Sequence, residues 1–68
     1  MRVLVASNDA VRLSFLTALL SDAGIRSIVL DHHASIMDGS ISAIQRRLAV
    51  APEDEMRARR ILREAGEL

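Results

Sequence analysis

The chain predicts a single α+β domain over residues 1–68, ordered β-α-β-β-α, with two helices on one face of a three-stranded sheet. Three observations carry that prediction. The chain repeats one pattern: Val3-Leu4-Val5-Ala6 leads through Ser7-Asn8-Asp9 into an apolar-periodic run that stops at Ala23-Gly24, and Leu48-Ala49-Val50-Ala51 leads through Pro52-Glu53-Asp54 into a second run that stops at Ala65-Gly66. A further strand-like segment, Ile25-Arg26-Ser27-Ile28-Val29-Leu30, lies between the two halves. Only Glu67 and Leu68 follow the second stop, too few for a fourth strand.

Residues 2–6 read as the first strand, β-branched at Val3 and Val5. Asn8 or Asp9 then caps a helix, because a side-chain oxygen there accepts from free N–H groups of the first turn. The helix is expected to run to about Ala23, with Gly24 as the left-handed stop. Leu13, Leu16, Leu19, Leu20 and Ala23 form its core stripe. Val11, Phe15 and Ala18 widen that stripe beyond the needs of one sheet face and leave a second apolar contact. Ser14, Thr17 and Ser21 form the narrow polar edge.

Residues 25–30 read as the second strand and residues 46–50 as the third. The fifteen residues between them, Asp31 to Gln45, form a long connection for so small a domain, and such connections are commonly functional. The second helix is expected over about 52–65, opened by Pro52 and by Glu53, Asp54 and Glu55 at the positive end of its dipole. Ala58, Ile61, Leu62 and Ala65 make a narrow apolar stripe. Glu53 with Arg57, and Glu55 with Arg59, have the favourable acid-first spacing.

This order is the ferredoxin-like, split βαβ plan lacking its last strand. The sheet, antiparallel or mixed, is then ordered 1-3-2, with the first strand at an edge. An open apolar edge invites pairing with another chain, and a second copy is the expected cover.

Composition points the same way. A chain of 68 residues buries only about 60% of the surface exposed when unfolded, so small domains commonly need further support. There is no cysteine, which excludes disulfides and thiolate metal sites. The hydrophobic fraction of 50% leaves self-association as the expected source of extra burial, a dimer being favoured. Nine arginines balance nine acids, which argues against a general nucleic-acid or membrane-surface binder. Phe15 is the lone aromatic, so a base-stacking platform is absent. No apolar stretch has the length of a signal peptide or a membrane span, and a cytoplasmic location is the expectation by default.

Candidate chemistry is sparse. Asp31-His32-His33 is the one cluster with metal-ligand character, but neighbouring histidines on an extended segment point apart, and zinc usually takes three or four protein ligands. The expectation is no metal and no cofactor, with His32 and His33 the candidates if one binds. Ser35, Ser40 and Ser42 have no base held in fixed geometry, so no catalytic residue and no enzyme activity is expected. Ile36, Met37, Ile41 and Ile44 give the 31–45 connection apolar anchors, and Met adapts readily to partner surfaces. Arg57, Arg60 and Arg63 along the second helix, with Arg46 and Arg47 opening the third strand, form a candidate surface for an anion, an acidic partner or RNA, set against the reading of a solvated face laced with Glu53, Glu55 and Glu64.

Ser7-Asn8-Asp9, Ala23-Gly24-Ile25, Met37-Asp38-Gly39-Ser40-Ile41, Arg46-Arg47 and the run from Arg59 to Gly66 together resemble a bacterial family of unknown function known as "putative signal transducing protein". The resemblance spans nearly the whole chain. It implies a ferredoxin-like fold grouped with the nitrogen-regulatory PII proteins. It also implies that the 31–45 connection occupies the place of the long partner-contacting loop of those proteins. Their nucleotide site uses loops and a further strand that this chain lacks, so none is carried over. Relatives tend to have proline before the arginine pair, where this chain has Gln45.

The function expected is a non-catalytic regulatory or adaptor module that contacts a protein partner through His32, His33, Ile36, Met37, Asp38, Gly39, Ile41 and Ile44. A ligand or metal sensor through Asp31-His32-His33 is one alternative. A purely structural self-associating domain is another.

Overall fold

The computed structural model describes residues 1–31 and 45–68. In chain order its elements are β1 (Arg2–Ser7), α1 (Ala10–Asp22), β2 (Ser27–Leu30), β3 (Arg46–Val50), a 3-10 turn at Pro52–Asp54, and α2 (Glu55–Glu64). The sheet has three strands in the order β1-β3-β2, and both pairings are antiparallel. This is the α+β plan expected, with β3 central.

The turn from β1 into α1 is built from short polar side chains. The Ser7 hydroxyl accepts from the Asp9 N–H at 3.0 Å, and Asp9 Oδ1 accepts from the Arg12 N–H at 3.1 Å. Asp9 is therefore the cap, and one of the orphan donors of the first helical turn is satisfied.

Both helices end in the same way. After α1 the Gly24 N–H donates to Ser21 O at 2.9 Å and the Ile25 N–H to Leu20 O at 2.8 Å. After α2 the Gly66 N–H donates to Arg63 O at 3.0 Å and the Glu67 N–H to Leu62 O at 2.9 Å. This is the Schellman arrangement, which needs a left-handed residue at its corner. Gly24 at φ +79° and Gly66 at φ +77° supply it. Gly24→Ala would meet no steric neighbour, so its cost is the backbone alone. The expected loss is about 1–2 kcal/mol, read as a lowered urea midpoint with an unchanged slope.

The same turn explains why β2 is shorter than the run 25–30. Ile25 is spent closing the helix stop, where it is buried against the core at 2% exposure, and the strand begins at Ser27. The second helix also starts later than expected. Pro52, Glu53 and Asp54 wind as 3-10, and Asp54 makes no side-chain cap. Glu53 thus stands outside the α-helical spacing that would bring it to Arg57.

Leu4, Leu13, Leu16, Leu20, Ile25, Leu48, Val50, Ala58 and Leu62 form one core, with Val5, Leu19 and Ile61 partly buried against it. Leu48 and Val50 are two apart on β3, so they point to the same face, and both helices pack there. Ala65 and Ala23 lie outside that core as cap residues, Ala65 exposed and Ala23 half-buried. Long side chains tie the helices antiparallel. Arg12 near the start of α1 donates from Nε to Glu67 Oε1 at 3.1 Å and from Nη2 to Glu67 O at 3.0 Å. At the other end the Arg57 guanidinium donates to Ala23 O, placing a cation on the negative end of the α1 dipole.

Candidate functional site

Residues 32–44 lie outside the described part of the chain, and with them His32, His33, Ile36, Met37, Asp38, Gly39, Ile41 and Ile44. Both ends of that connection are described. Asp31 and Arg46 are exposed and face one another, Arg46 Nε standing 3.3 Å from Asp31 Oδ1. The pair joins the first residue of the connection to the first of β3. An ion pair this exposed contributes little to stability, but it engages the carboxylate expected to accompany the histidines.

The five candidate arginines do not form one surface. Arg57 is committed to the α1 carboxyl end. Arg46 pairs with Asp31. Arg47 is half-buried, opposite Ala6 on one side and Leu30 on the other. Arg60 and Arg63 remain exposed together on the outer side of α2, beside Met56 at 85% exposure. Of the two acid-first pairs expected on α2, Glu55–Arg59 forms, with Arg59 Nη2 at 3.1 Å from Glu55 Oε2.

Among the described residues three apolar surfaces are left after the core is closed. The first is the outer stripe of α1. Leu13, Leu16 and Leu20 face inward, while Val11 at 80% exposure, Phe15 at 49% and Ala18 face out. Phe15, Ala18, Leu19 and Asp22 line a shallow depression of about 180 Å³ there.

The second is the sheet face turned away from the helices. Cross-strand partners share a face, so Val3, Ala49 and Ile28 form one row on it and Ala6, Arg47 and Leu30 the next. Ala49 is fully buried between Val3 and Ile28, which are 39% and 42% exposed.

The third is the outer edge of β2. Ile28 on the open face and Val29 on the helix face are both substantially exposed. A strand reading Ser-Ile-Val-Leu, apolar on both faces, has the composition of a buried strand yet stands at the margin of the sheet. That mismatch between sequence and position is the signal these residues carry beyond their reading as a strand.

Among the described residues no three His, Cys, Asp or Glu side chains converge as a metal site, and no helix is long and apolar enough to cross a membrane.

The elements and sheet order define a small α+β fold of the ferredoxin-like kind. A family model described as "Putative prokaryotic signal transducing protein" matches residues 1–66. The chain belongs to that family. Comparison with curated proteins and with solved structures returned no match.

Proposed function

We propose that the chain is a non-catalytic regulatory or adaptor module of prokaryotic signalling, acting in the cytoplasm by contact with a protein partner. One observation carries the reading: the outward stripe of Val11, Phe15 and Ala18 on α1. A helix needs one stripe to hold its own core, and α1 has that in Leu13, Leu16 and Leu20. The second stripe lies outside the core. Covering the exposed parts of Phe15 and Val11 would contribute about 2–3 kcal/mol to a complex. The family description supports a signalling role. The connection from Asp31 to Gln45 is the second contact element in this reading, with Ile36 and Met37 as its anchors.

The test is retention of partner proteins from extract of the native cell. The wild type is set against Val11→Glu with Phe15→Glu, and against Ile36→Ser with Met37→Ser. The stripe variant is expected to keep its helical circular dichroism and to lose at least one specifically retained protein. Identical retention by wild type and both folded variants would remove the reading.

A further inference from the structure

A three-stranded sheet has two edges, and here they are treated differently. β1 carries three obstacles to further pairing. Its register against β3 slips by one residue between Val3 and Val5, a bulge at Leu4. The Arg59 guanidinium donates to Val3 O at 3.2 Å. Arg2 on the strand stands 3.6 Å from Glu55 Oε1. Bulges and charged side chains are the usual means of closing an edge. Among the described residues β2 shows none of them. Ser27-Ile28-Val29-Leu30 has no charge, proline or glycine, and its register against β3 runs unbroken. Among the described residues nothing pairs with its outer side.

We propose that β2 is a dimerisation edge, pairing antiparallel with β2 of a second copy across a two-fold axis centred on Val29, so that two three-stranded sheets join as one of six. The strand is complementary to itself in that register. A two-fold axis normal to the sheet keeps every side chain on its own face, so residues that oppose one another must be identical or an even number apart. Centred on Val29, the pairing sets Val29 against the partner's Val29 on the helix face. On the open face Ile28 meets the partner's Leu30 twice over. Ser27 meets the partner's Asp31, a hydroxyl donor against a carboxylate that already has Arg46 beside it at 3.3 Å. Centring on Ile28 instead would set Ser27 against valine and Arg26 against leucine. Cross-strand pairs favour like with like in polarity, so the Val29 register is the one chosen.

A strand this short covers less than the roughly 800 Å² per partner of a standard interface. Association in the micromolar range is therefore expected, and mass should be followed from low micromolar to near-millimolar concentration. The inference goes beyond the adaptor reading and is independent of it, since edge pairing does not use Val11 or Phe15.

The chain has no cysteine, so one introduced thiol reports alone. Val29→Cys is expected to form a disulfide-linked dimer under mild oxidation about tenfold or more faster than Val3→Cys on the closed edge, because a held pair reacts at high effective concentration. In light scattering the wild type should reach twice the 7.5 kDa chain mass, and Val29→Lys should remain at the single mass with its circular dichroism intact. A wild type that stays monomeric throughout overturns the proposal. So does a dimer that survives Val29→Lys, or Val3→Cys linking as fast as Val29→Cys.

Discussion

Leu16→Ala is expected to bring the domain to the edge of unfolding at room temperature. Leu16 is fully buried at the centre of α1, in the cluster that also holds Leu48, Val50, Ala58 and Leu62. Removing its side-chain carbons loses their transfer energy and leaves a cavity, at about 2–5 kcal/mol in sites of this type. A domain of this length has about 3–10 kcal/mol in total, so the loss is of the same order as the whole. A urea titration followed by circular dichroism should show the midpoint collapse. Leu19→Ala, at a position only partly buried, should move it far less. A midpoint for Leu16→Ala close to wild type would contradict the packing described.

Ala58→Leu is expected to be the second most damaging change, by the opposite mechanism. Ala58 is fully buried on the inward side of α2, where a small side chain fits the space left against α1 and the sheet. Three more carbons have no room, and overpacking of this kind costs about 1–3 kcal/mol. Leucine and alanine have nearly equal helix propensity, so the loss reports packing alone. Thermal unfolding by calorimetry should give a lower midpoint with the helical signal retained below it. Ala65→Leu, exposed at the helix end, should have no comparable effect.

Local chemistry made much of the fold legible before any coordinates. Asp9 caps because short acids do, Gly24 and Gly66 stop helices because they accept positive φ, and the spacing of Leu13, Leu16 and Leu20 marks an inward stripe. Pairing order followed from element order. What could not be read depended on neighbours distant in the chain. Nothing near Arg57 says that it will reach the Ala23 carbonyl rather than Glu53. Nothing in Val3-Leu4-Val5 announces a bulge, since a regular strand would have the same composition. Ile25 reads as strand because it is β-branched, and the helix stop claims it first. The candidate site divides along the same line. The surplus on α1 was visible as a stripe too wide for one contact. The contrast between the two sheet edges needed Arg59, 56 residues away from Val3, to be in place.

The single extra residue at Leu4 has a consequence for what such a molecule can build. A sheet with two open margins can add copies at both without limit, giving a ribbon that grows from either end. A sheet with one margin shut can add one copy and then has nothing further to offer. If β2 pairs as proposed, a small irregularity in the first strand, backed by one arginine, would be the difference between a finite particle and a fibre.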